Sequence, residues 1–225
     1  ASGGGISGAN IQRTTKKIEK FEFSGLVFEG INADVINLRH VENSKKIKIL
    51  GLIGAKFLKD FEVIIDMKMM SMKMIQVDRK GKMVEPYLDK NVYDIHQKAF
   101  LYNNVIVSYI PIAGKKVCFC LDTGAERNVI DNQSHKNILE TISITGRSRL
   151  RGASTERIEV LFGIMNDFQI GDHKFDGMNV LMMDLSTMRK SFGINVGGML
   201  GYDFFKHGVF KINLRKKLMS IALYD

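Results

Sequence analysis

Apolar residues along this chain come in short runs rich in valine, isoleucine and phenylalanine, broken by glycines and small polar residues. That spacing predicts strands joined by tight turns rather than long helices. Ile18 to Phe23 and Leu26 to Leu38 read as strands around Ser24-Gly25, and Asn104 to Ile112 leads into a turn at Ala113-Gly114. Val117-Cys118-Phe119-Cys120-Leu121 reads as a buried strand, and Val129-Ile130-Asp131 resumes its apolar pattern. Further on, Ile158 to Ile170 and Phe175 to Met183 read as strands around Gly171-Asp172, and Tyr202 to Lys206 as one short amphipathic helix. The expected fold class is all-β, mostly antiparallel, with little helix.

The pattern occurs twice. A shift of 147 positions, Gly51 onto Gly198, lays the first part of the chain on the second without a gap. Phe21, Phe28, Gly30 and Asn32 fall on Phe168, Phe175, Gly177 and Asn179, and Phe57, Lys59 and Ile65 on Phe204, Lys206 and Ile212. Each copy carries Gly-apolar-apolar-Gly (Gly51 to Gly54, Gly198 to Gly201), then a short helix, then a closing strand, Glu62 to Met74 or Val209 to Leu223. Gln76 to Gln97 is polar, contains Pro86 and reads as a connection. The expected organisation is therefore a lobe in residues 1–75, a connection in 76–100 and a second lobe in 101–225.

Composition adds bounds. The chain has 225 residues, 45% of them hydrophobic, enough for one large or two modest cores. A net charge of +9 favours anionic partners only in a general way. The lysines are spread out with no Arg-rich block, so nucleic acid is not an expected partner. No run of about 18 apolar residues codes a membrane span, and Ala1 to Gly5 lacks the basic start and apolar core of a signal peptide. Cys118 and Cys120, two apart on one strand, read as small core residues. His40, His96, His135, His173 and His207 lack ligand spacing, and Met67 to Met74 reads as a methionine-filled strand face rather than a thioether metal site. No metal or other cofactor is expected. Gly193 to Gly201 lacks the Lys-Ser/Thr ending of a phosphate loop, and neither Ser154 nor the cysteines sit in a nucleophile motif.

One position carries chemistry. Asp122-Thr123-Gly124-Ala125 ends the buried run at Leu121, and an acid there costs desolvation unless something pairs it. Leu121-Asp122-Thr123-Gly124-Ala125, followed much later by Met199-Leu200-Gly201 and a short helix, resembles the pepsin/retropepsin-like aspartic proteases. The resemblance implies two lobes of that type, the first truncated. It implies peptide-bond hydrolysis by water activated between two carboxylates, one of them Asp122, with Thr123, Gly124 and Ala125 supporting the catalytic loop. It also implies covering loops: Gly152, Ala153 and Ser154 in the second copy, and Gly3, Gly4 and Gly5 in the first. The partner would be an extended peptide or protein, and export to the periplasm or cell surface follows by resemblance only.

By the repeat, a first-copy counterpart of Asp122 would lie about 25 residues before Ala1. The second acid is therefore expected from an N-terminal segment of the same protein that completes the first lobe. A second copy of the chain, as in a homodimeric retropepsin-type protease, is the alternative source. A catalytically silent peptide-binding protein with a protease-like cleft is the alternative function.

Overall fold

The computed structural model describes residues 14–23, 25–151 and 157–224, in two units, Ala1–Leu52 and Ile53–Asp225. In the first unit, β1 (Thr14–Phe23) and β2 (Leu26–Val35) form an antiparallel ribbon in register from Thr14↔Val35 to Phe23↔Leu26. Gly25 takes the left-handed φ of +81° that this turn needs. The second strand stops at Val35, short of the expected Leu38. Asn37 Oδ1 accepts the Arg39 N–H at 3.0 Å, a local bond that turns the chain into α1 (Arg39–Lys45).

The second unit begins with a 3₁₀ turn, Phe57–Asp60, and then β3 (Phe61–Asp66) and β4 (Ser71–Gln76). Next come β5 (Ile95–Tyr102), β6 (Val105–Ile112), β7 (Lys115–Leu121) and β8 (Asn128–Asp131), with α2 (Lys136–Leu139) after them. β9 (Ile142–Arg151) and β10 (Arg157–Met165) form a long hairpin, β11 (Gln169–Ile170) and β12 (His173–Lys174) a short one, and β13 (Met178–Met183) leads to α3 (Ser186–Phe192). The chain closes with β14 (Gly198–Leu200), α4 (Tyr202–Phe205), β15 (Gly208–Asn213) and β16 (Leu218–Leu223). Twelve strands join in one sheet, in the order β4-β3-β15-β16-β5-β6-β7-β14-β8-β13-β10-β9.

The architecture is mostly β, and a short helical turn follows each Gly-apolar-apolar-Gly stretch, at Phe57–Asp60 and Tyr202–Phe205. The 147-residue shift carries β3 onto β15, β4 onto β16 and α1 onto α3, bound for bound. It also carries the left-handed Lys46, Gly30 and Met70 onto the left-handed Gly193, Gly177 and Lys217. These coincidences are consistent with an internal repeat.

Four further local expectations are corrected. Each closing segment is a hairpin rather than one strand: the chain reverses at Met67–Met70, where Asp66 Oδ1 accepts the Met69 N–H at 2.8 Å, and again between Asn213 and Leu218. The methionines therefore do not fill a strand face. Met69 and Met70 sit 71% and 88% exposed on the turn, and Met72 is half exposed on the edge strand β4. The expected strand from Ile158 to Ile170 breaks after Met165, where Asn166 bonds back to Thr141 and Ser143. Part of the expected connection, from Ile95 onward, is strand β5. The remainder is pinned at Asp89, which accepts bonds from Tyr93 (2.9 Å), Asn91 and Lys211 on β15.

The core lies where β7, β11, α4 and β15 converge. Phe119, Phe168, Phe175, Phe204, Phe205 and Phe210 are fully buried, with edge-on contacts such as Phe205–Phe210 at 4.7 Å between centroids. Burial of each such ring is worth about 1.5–3 kcal/mol. His207 packs edge-on against Phe175, and its Nε2 has no hydrogen-bond partner among the described residues. Burial pushes the imidazole below its ordinary range, and Lys206 adds repulsion. The unfolded chain therefore takes up this proton first as pH falls. The stability His207 contributes is present above about pH 6.5, the ordinary value, and is lost as pH drops through the lowered folded value. Melting temperature should decline on the acid side of that point, and His207→Gln should flatten the decline. An unchanged slope in the variant would remove His207 from the account.

Candidate active site

The site is built at the end of β7. Val117 to Cys120 are buried because strands flank β7 on both sides, β6 antiparallel and β14 parallel. Thiol reactivity is suppressed there: burial, the Cys118 thiol and the Asp122 charge push the Cys120 thiol up to about 12, and burial raises Cys118 too. One residue beyond Leu121 the sheet ends, and Asp122, Thr123 and Gly124 are exposed. The carboxylate thus escapes the desolvation that a position inside the strand would impose.

Its orientation is fixed from both sides. The Asp122 N–H bonds to Leu200 O at 3.0 Å, the Gly124 N–H donates to Asp122 Oδ1 at 2.9 Å, and the Ala125 N–H donates to Asp122 O at 3.2 Å. A carboxylate held by a backbone N–H presents its other oxygen outward. Ala125 in turn is half-buried, and its carbonyl accepts the Tyr202 N–H at 2.8 Å.

β14 holds this loop in place. Gly198 and Met199 pair with β7 on one side and β8 on the other, so the strand threads between them. The two glycines of Gly198-Met199-Leu200-Gly201 are steric requirements. A Cβ at Gly198 would lie 2.4 Å from the Phe119 ring, and one at Gly201 would lie 2.5 Å from Ala125 O and 2.7 Å from Arg127 O. Overpacking against backbone cannot be relieved by a rotamer change, so Gly201→Ala should cost about 1–3 kcal/mol or more. It should also displace the Asp122 loop. Chemical denaturation would measure the loss, and a variant as stable as the parent would contradict the packing.

Several supporting residues are invisible to motif reading. Asn128, 1% exposed, accepts the Gly201 N–H on Oδ1 at 3.0 Å and donates from Nδ2 to Asn179 O at 3.1 Å, tying β8 to β13 and to the turn after β14. Asp131 is buried at the end of β8, accepts the Leu185 and Gln133 N–H groups and pairs with Arg189 on α3. Arg127 Nη1 reaches Asp203 Oδ2 at 3.4 Å, and Lys206 Nζ reaches Asp203 Oδ1 at 3.0 Å. A polar residue inside an apolar run, as in Asn128-Val129-Ile130-Asp131, was the only sequence signal of such a role.

The structure thus brings Asp122, Gly124 and Ala125 together with Leu200 and Gly201, while Thr123 is placed among them by sequence and its side chain is exposed. Gly152, Ala153 and Ser154, between β9 and β10, lie outside the described residues, as do Gly3, Gly4 and Gly5. β9 is the terminal strand of the sheet and leaves one edge without a strand neighbour among the described residues.

Comparison with known proteins bears on the same region. Residues 109–204 match a family model described as aspartyl protease. A retrovirus-related Pol polyprotein from transposon 412 of Drosophila melanogaster is 26% identical over 129 residues, 57% of this chain. The chain spans only 10% of that relative's length. Among solved structures, a retropepsin-like aspartic protease from Rickettsia conorii is similar at 15% identity and a TM-score of 0.38, covering 60% of this chain and 96% of its own.

Proposed function

We propose that the chain is an aspartic protease of the retropepsin-like type, a reading supported by the aspartyl protease family model that matches residues 109–204, and that Asp122 is one of two carboxylates that activate water for peptide-bond hydrolysis. The observation that carries this reading is the setting of Asp122. It is an exposed acid at the end of a buried strand, with one oxygen held by the Gly124 N–H and its backbone locked to Leu200. Hydrolysis without a covalent intermediate needs a base to take a proton from water and an acid to protonate the departing groups. Two carboxylates in hydrogen-bond reach resist joint ionisation and share one proton, so one is base and the other donor. Asp122 supplies one; another segment of the same protein, or a second copy of this chain, supplies the other.

An extended peptide is the fitting substrate. The outer edge of β9 offers backbone groups to an added strand, and the β9–β10 hairpin would cover the peptide over Asp122. Digestion of a peptide mixture at acid and neutral pH, with Asp122→Asn as control, tests the reading. Asp122-dependent cleavage supports it. A catalytically silent protein would bind peptides and cleave none. A rate rising with the square of chain concentration would assign the second acid to another copy.

A further inference from the structure

We infer that the cavity beneath the β9–β10 hairpin is a substrate subsite that selects an acidic side chain, with Arg127 as the specificity-determining residue. This rests on the proteolytic reading of Asp122. The cavity, about 330 Å³, is lined by Thr145 and Gly146 on β9, Phe162 and Gly163 on β10, Asn179 on β13, and Arg127 on the loop before β8. Its size is at the lower bound for ligand clefts, suited to one side chain rather than a whole peptide. Gly146 leaves it open, since a Cβ there would meet nothing nearer than the Phe162 ring at 4.0 Å, and the register of β10 on β9 shifts between Phe162 and Gly163, the kind of bulge that re-aims a strand beside a site.

Charge decides what it takes. Arg127 is the single charged side chain among the described residues lining the cavity, and no carboxylate lines it. Asp203 does not cancel it, because that one carboxylate is shared by Arg127 and Lys206, leaving a surplus positive charge. The Arg127 side chain is half exposed and spends one donor on Asp203 at a long 3.4 Å, so most of its planar fork is open to a second carboxylate. Position fits as well. Arg127 is five residues after Asp122, at most about 18 Å away even if the loop were extended. A side chain one or two alternating positions from the scissile bond of a strand-like peptide covers that distance. The chain's net charge of +9 adds a long-range attraction for acidic substrates.

The test uses two peptides differing only by Glu against Gln at one position, scanned outward from the cleaved bond. It also measures their binding to Asp122→Asn protein, so that recognition is read separately from turnover. One position should prefer Glu about tenfold in KM with kcat little changed, and added salt should erode the preference. Arg127→Gln should abolish the Glu preference, making the ratio of the two peptides' KM values close to one, and Arg127→Lys should restore part of it. Cleavage at equal efficiency for both peptides at every position overturns the subsite and leaves the catalytic reading intact. Arg127-dependent preference in binding without any cleavage keeps the subsite and removes the catalytic reading. Equal binding of both peptides overturns the subsite regardless of turnover.

Discussion

Asp122→Asn is expected to lower peptide hydrolysis by about 10²–10⁴-fold, the usual contribution of a positioned acid–base group, without loss of folding. The substitution is nearly isosteric, and the side chain is exposed with a single backbone donor, Gly124 N–H, that an amide oxygen still satisfies. An amide can neither take a proton from water nor share one with a second carboxylate. The fall should therefore appear in kcat rather than in peptide affinity. If the proposed pair of acids is at work, activity in the parent should follow a bell in pH, because a state with one proton between two acids is lost when both or neither are protonated. Initial rates on a fluorogenic peptide across pH, with circular dichroism as the folding control, measure both effects. Parent-like turnover by Asp122→Asn would remove this residue from the chemistry.

How much of this was legible in the sequence depends on the range of the interaction concerned. Asp122-Thr123-Gly124 was readable because its geometry is local: strand end, acid and turn are consecutive, and the Gly124 N–H reaches the carboxylate two residues back. The Gly-apolar-apolar-Gly stretch was readable for a steric reason, since nothing larger than hydrogen fits at Gly198 or Gly201. Helices α1 and α3 were missed because each is two turns long and opens on a leucine with no side-chain cap to announce it. The hairpin reversals at Met67–Met70 and after Asn213 were missed because residues without turn preference, Met70 and Lys217, take the left-handed conformation. Arg127, Asn128 and Asp131 were out of reach for another reason. Their partners Asp203, Gly201 and Arg189 lie 58 to 76 residues away, and one sequence does not pair charges across that distance.

That last pairing carries the largest expected effect on stability. Arg189→Met should destabilise the second unit by about 3–5 kcal/mol, the cost of breaking a buried ion pair by removing one partner. Asp131 is 4% exposed and cannot turn to solvent, whereas a methionine fills the arginine's volume and supplies no charge. The Leu185 and Gln133 N–H groups still reach Asp131 Oδ1, both at a long 3.3 Å, so they compensate the stranded carboxylate only in part. The consequence extends to the site. Asp131 ends β8, and its N–H bonds to Gly197 O immediately before β14, the strand whose Leu200 holds the Asp122 backbone. A shift at the Arg189 end should thus loosen the Asp122 loop before global unfolding, lowering activity at temperatures where the strands persist. Denaturant melts of Arg189→Met, Asp131→Asn and the double variant give the coupling energy directly. A single-variant cost below about 1 kcal/mol, the range of a solvent-exposed pair, would mean that this contact closes the surface of α3 and does not hold β8 and β14 in register.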